Sequence, residues 1–226
     1  MSGVTFRGVS HAYADRAVLR DVDLELTEQR IGIVGSNGSG KSTLARMING
    51  LIIPDSGTVE VNGLDTKRKV RAIRKEVGFV FTDPDRQIIM PTVGEDVALS
   101  LSRGRLSKSD VAVRVGEVLA RFGLSGHADH PAQKLSGGQK QLLALASILV
   151  TEPSIIVADE PTTLLDLRNS AMIRGVFAGL AQQLIVVSHD LELVSDFDRV
   201  IVIDGGGVVA DGPPGEALPH YRALMA

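Results

Sequence analysis

The octapeptide Gly35-Ser36-Asn37-Gly38-Ser39-Gly40-Lys41-Ser42, followed by Thr43, constrains this chain more than any other stretch. It fits G-x-x-x-x-G-K-[ST] at every fixed position, a pattern that works only between a strand and a helix. Gly35, Gly38 and Gly40 lack a Cβ, so the backbone can turn tightly and aim successive N–H groups at phosphate oxygens. Lys41 adds a point charge for the outer phosphates, Ser42 a hydroxyl for Mg²⁺, and the next helix its positive dipole end. The surroundings agree. Arg30 to Val34 reads as a buried strand, and Leu44, Met47, Ile48 and Leu51 recur on one helical face, with Asn49-Gly50 as the stop. A glycine-rich turn with a chance Lys-Ser would not bring that context, so the stretch is read as a nucleoside triphosphate site.

The remaining bulk properties narrow the class. The 226 residues fit one domain with a subdomain, and Lys+Arg 24 against Asp+Glu 27 leaves a net charge of −3, which argues against nucleic acid as a partner. With Cys 0 there is no disulfide or thiolate metal site. No basic-then-apolar leader and no long apolar window is apparent, so a soluble, cytoplasmic chain is expected, reaching a membrane only through partners.

Along the chain, Val4 and Phe6, Val18, and Leu24 and Leu26 sit in β-like runs around the turn Ala14-Asp15-Arg16. With Thr58 to Val61 they suggest an antiparallel sheet. Lys67 to Lys75 is basic and reads as a solvated helix, and Val77 to Phe81 as a buried strand. Helices are expected over Val93 to Leu101, after the capping box Ser107 to Asp110 until Gly123, and from Gln139 to Leu149. Strands at Ile155 to Ala158, Leu184 to Val187 and Val200 to Ile203 then alternate with helices at Asp166 to Leu180 and near Leu191. The last of these strands turns at Gly205-Gly206-Gly207 into Val208-Val209. This is an α/β architecture: one domain over 1–226, with an N-terminal antiparallel β subdomain and a helical subdomain inserted at about 90–150.

Asp159 and Glu160 end an apolar strand. Beside a phosphate loop, the first is placed to hold Mg²⁺, directly or through its water shell, and the second to polarise a water. Leu135-Ser136-Gly137-Gly138-Gln139 puts two glycines and a hydroxyl at a helix start, which is either an anion nest or an ordinary cap. Here the chain resembles the ATP-binding cassette ATPases, P-loop NTPases with a RecA-like core, from about Val4 to Gly212. The resemblance implies ATP and Mg²⁺ as cofactors, held by Gly35 to Thr43, with Ser42 and Asp159 on the metal. It implies that Ser136, Gly137, Gly138 and Gln139 cap the γ-phosphate of the other subunit in a head-to-tail dimer, with Asp166 at the seam. Glu160 would then be the general base and His189, in Ser188-His189-Asp190, the γ-phosphate sensor. Tyr13 stands where such cassettes stack an aromatic on adenine, although a core or hairpin-packing Tyr fits the residues about equally well. One position departs: Thr82 stands where the family carries a metal-touching Gln, and Gln87 comes five residues later.

Ile48-Asn49-Gly50-Leu51, Gly63-Leu64-Asp65-Thr66 and Asp83-Pro84-Asp85-Arg86-Gln87 resemble the energy-coupling-factor importers of vitamins and metals. Met90 to Val93 and Thr162 to Asn169 are similar to the biotin-transporter branch. The resemblance implies a homodimer or heterodimer of cassettes, peripheral on the cytoplasmic face of the membrane, with integral coupling and substrate-binding subunits as partners. A cobalt or nickel importer is the nearest alternative. Cassettes acting on DNA or ribosomes carry coiled coils, zinc-binding Cys pairs or paired cassettes, none of which is present. A nucleotide-gated interaction module would lack Glu160 or His189.

Overall fold

The computed structural model describes residues 3–226 apart from 103 and 105. The chain forms two compact units: one takes the residues up to Phe79, Ser154–Glu160 and Leu180–Ala226, and the other Val80–Pro153 and Pro161–Gly179.

The first unit opens with the hairpin β1 (Val4–Tyr13) and β2 (Arg16–Leu26), which closes at the pair Tyr13 and Arg16. Val4, Phe6, Val9, Leu19, Val22, Leu24 and Leu26 are buried, as alternation on a half-buried sheet dictates. Next come β3 (Arg30–Gly35) and α1 (Lys41–Ile48), then β4 (Ser56–Val61) and β5 (Leu64–Asp65), giving a four-stranded sheet in the order β2-β1-β4-β5. Leu51 was expected on the buried face of α1. Instead it lies beyond the helix end and is exposed, because Gly50 takes φ +59 and turns the chain away. The basic helix α2 (Val70–Glu76) starts three residues later than Lys67, since the Asp65 carboxylate ties the Lys67 and Arg68 N–H groups into a turn. β6 (Val77–Val80) follows.

The second unit is helical. α3 (Val93–Leu101) begins on a Thr92/Glu95 capping box, and α4 (Lys108–Arg121) on the expected Ser107/Asp110 box. α5 (Gly137–Leu149) packs against both. Asp96 is buried there but satisfied: Oδ1 accepts the Ile89 and Met90 N–H groups at 2.8 and 3.0 Å, and Oδ2 the Ser147 hydroxyl at 2.9 Å. Leaving that carboxylate unpaired would cost far more than the pair contributes, so it ties three segments together.

The chain returns to the first unit with β7 (Ile155–Asp159) and, after α6 (Leu167–Ala178) in the second, continues through β8 (Gln183–Val187), α7 (Leu191–Val194), β9 (Arg199–Asp204) and β10 (Gly207–Gly212). The sheet order is β10-β9-β3-β8-β7-β6. β3, β7, β8 and β9 run parallel and read as unbroken Ile and Val runs because both faces are covered. One helix went unread, α8 (Pro214–Met225). Pro214 suits its first turn, but Pro219 inside it breaks the helical signal. Burial of Ala217 and Leu218 against Val200 and Val202 holds it in place.

Candidate functional site

The fold puts the phosphate loop at the carboxyl end of β3, with α1 starting at Lys41. Gly40 adopts φ +107, and a Cβ there would lie 2.6 Å from the Val18 carbonyl oxygen, so β2 closes over the loop only because this residue is glycine. The Ser36 hydroxyl donates to Asp204 Oδ1 at 2.8 Å, anchoring the loop to the end of β9. Lys41 is buried, and its Nζ donates to the Gly35 and Ser36 carbonyls, both at 2.8 Å. Burial pulls its ammonium below the ordinary value, opposed by Glu160 and then Asp159. The first turn of α1 holds no acidic residue, so nothing neutralises the helix end that faces the loop.

Ser42 and Asp159 come together from α1 and β7, the hydroxyl donating to Oδ1 at 2.7 Å. Arg46, one turn beyond Ser42, donates to Oδ2 at 3.1 Å. The sequence reading missed Arg46, although an i, i+4 spacing from Ser42 puts it on the same face of the helix. A hydroxyl and a carboxylate are the hard oxygen donors Mg²⁺ takes, and no group of three or more acidic, His or Cys residues forms a complete cage among the described residues. That donor set suits an ion that keeps waters and phosphates in its shell.

Glu160 sits at φ +55, a conformation costing an L-residue about 1–2 kcal/mol, and such strain clusters at functional sites. Its N–H donates to the Val187 carbonyl at 2.9 Å, and its Oε2 accepts from His189 Nδ1 at 2.7 Å. Tyr13 is 49% exposed, so it is not a core residue. Its hydroxyl lies 3.5 Å from Thr43 Oγ1, and it lines a cleft of about 450 Å³ with Asn37, Gly38, Lys41 and Glu160. The structure thus gathers Tyr13, the loop, Ser42, Asp159, Glu160 and His189 within the first unit.

Ser136 to Gln139 and Asp166 belong to the second unit. Both glycines lie inside the first turn of α5, two residues earlier than the expected start at Gln139. Ser136 and Gln139 form a capping box: the Ser136 hydroxyl accepts the Gln139 N–H at 3.3 Å, and Gln139 Oε1 accepts the Ser136 N–H at 2.9 Å. Asp166 caps α6 through the Asn169 N–H at 2.8 Å. The Asn169 carboxamide packs so closely on Gly138 that a Cβ there would collide with it, a contact no sequence pattern announces. Gly138→Ala is therefore expected to lower ATPase activity through a clash within its own chain, and Asn169→Ala in the same chain to restore most of it. Steady-state ATPase assays of the single and double variants measure this. Gln87 folds back on the end of β6, where its Oε1 accepts the Phe81 N–H at 3.3 Å and its Nε2 donates to the Ala144 carbonyl at 3.2 Å.

The family profile for the ABC transporter matches residues 19–163. This chain belongs to the ABC transporter ATPases. A Deinococcus radiodurans ABC transporter ATP-binding protein is 51% identical over 222 residues, covering 98% of each chain. The biotin transport ATP-binding protein BioM of Rhizobium etli is 45% identical, covering 99% of each. Among solved structures, cbiO1 from Clostridium perfringens, described as part of the ABC transporter complex cbiONQ, superposes with a TM-score of 0.85 at 29% identity, covering 98% of this chain and 92% of its own. As an ABC ATPase, the chain binds and hydrolyses ATP.

Proposed function

We propose that this ABC ATPase energises an energy-coupling-factor importer whose cargo is biotin. The observation that carries the reading is the 45% identity to the Rhizobium etli biotin transport ATP-binding protein across 99% of both chains. The likeness to a subunit of a cbiONQ complex supports the importer class. Among the described residues no helix is long and apolar enough to cross a membrane. The proposed partners are accordingly integral coupling and substrate-binding subunits, with the ATPase peripheral on the cytoplasmic face and paired with a second cassette.

In the proposed cycle Lys41 and the loop amides hold the phosphates, trading the Gly35 and Ser36 carbonyls for phosphate oxygens. Tyr13 stacks on adenine. Ser42, with Asp159 acting through the ion's water shell, would hold Mg²⁺, which would supply positive charge at the phosphates. Glu160 takes a proton from the attacking water. His189 orients that carboxylate through Nδ1, which leaves Nε2 for the γ-phosphate. Ser136 to Gly138 complete the partner's site, with Asp166 beside the seam.

Co-purification from native membranes tests the assignment. Integral proteins carrying bound biotin are expected. Retained cobalt or nickel, or the absence of integral proteins, would contradict it.

A further inference from the structure

Asp159 is 1% exposed, and both of its carboxylate oxygens are held from α1: Oδ1 by the Ser42 hydroxyl at 2.7 Å and Oδ2 by the Arg46 guanidinium at 3.1 Å. Ser42 and Arg46 lie one turn apart, so a single rigid helix fixes the carboxylate at two points. The hydroxyl proton points at Asp159, which leaves the Ser42 lone pairs for a cation. Meanwhile the guanidinium withdraws charge from the one acidic side chain placed to hold that cation. Among the described residues the buried Arg46 Nε has no hydrogen-bond partner, and the guanidinium meets Asp159 through its terminal nitrogen.

We propose that Arg46 is a positioning residue for the metal: it keeps Asp159 from entering the inner coordination shell and so holds Mg²⁺ affinity down. The inference rests on the assignment of Ser42 and Asp159 to Mg²⁺. An outer-shell partner that orients a metal ligand commonly changes metal affinity 10–100-fold. Usually its loss weakens binding. Here the sign reverses, because the partner is a cation that repels the ion and competes for the carboxylate. A weaker grip on metal-bound ADP eases release of product, so the same contact favours turnover.

The experiment uses the full chain saturated with ADP and titrated with Mn²⁺, the paramagnetic substitute for Mg²⁺. Free Mn²⁺ is read by its EPR signal, and the bound waters are counted from the pulsed-EPR response to D2O. Arg46→Met is expected to bind Mn²⁺ roughly tenfold more tightly and to lose one bound water to Asp159. Arg46→Lys, which keeps the charge, should match the wild type on both readouts. Unchanged or weaker Mn²⁺ binding by Arg46→Met, an unchanged water count, or failure of Arg46→Lys to restore both would overturn the proposal. Ser42→Ala serves as the control for the underlying assignment. If it leaves Mn²⁺ affinity untouched, the metal site itself is wrongly placed. If it weakens binding while Arg46→Met changes nothing, only the role of Arg46 fails. A thermal melt of each variant confirms that it is folded.

Discussion

Glu160→Gln is expected to leave ATP binding intact while lowering turnover by roughly 10²–10⁴-fold, the range for losing a general base. The substitution keeps the size of the side chain and its ability to meet His189, which lies 2.7 Å away through Nδ1. It removes only the capacity to accept a proton. The proposed phosphate grip is elsewhere, in Lys41 and the loop amides, so affinity for nucleotide should hold. ATP should then trap a dimer that cannot reopen. Single-turnover ATPase assays and size-exclusion chromatography with ATP check both halves. Hydrolysis at the wild-type rate would remove Glu160 from the role of base.

The second large effect concerns Ser136 to Gln139. A carboxylate here should block the partner's site by repulsion from the γ-phosphate, and the choice of glycine matters. Gly138 is a poor site for the test, because any Cβ there strikes Asn169 of the same chain. Gly137 is a clean one: a Cβ on it meets nothing within 4 Å. Gly137→Asp alone and Lys41→Ala alone are each expected to be inactive. Mixed together, they should form some dimers in which both lesions fall on one composite site and the other stays intact. Partial recovery of ATPase activity in the mixture is the expected result, and it follows only if the motif acts across subunits. A mixture as inactive as its parts would leave the assignment across subunits unsupported.

Most of this was legible because the chemistry sits at the ends of regular elements. A strand, the pattern from Gly35 to Ser42 and a helix must follow in that order, which places Lys41 and Ser42 from the sequence. Asp159 and Glu160 stood out as charges ending an unbroken apolar strand. The sequence could not reveal which side chains meet. Asn169 belongs to the Thr162 to Asn169 stretch and to an expected helix, yet neither pattern announces that its carboxamide packs on Gly138. Arg46 belongs to no motif, yet it holds the buried Asp159. Gln87 lies too late in sequence to take the place of Thr82, and its side chain turns out to be engaged with the Phe81 and Ala144 backbone. The helix over Pro214–Met225 escaped notice for a different reason: its stability comes from packing on β9, which outweighs the local penalty of Pro219.

Uptake of radiolabelled biotin tests the central claim most directly. The cells carry Glu160→Gln as their sole copy of this ATPase and have no other biotin importer. Uptake should fall to the level of cells lacking the chain, while their membranes still bind biotin, because the proposed substrate-binding subunit is untouched. Biotin uptake at the wild-type rate in those cells would contradict the account.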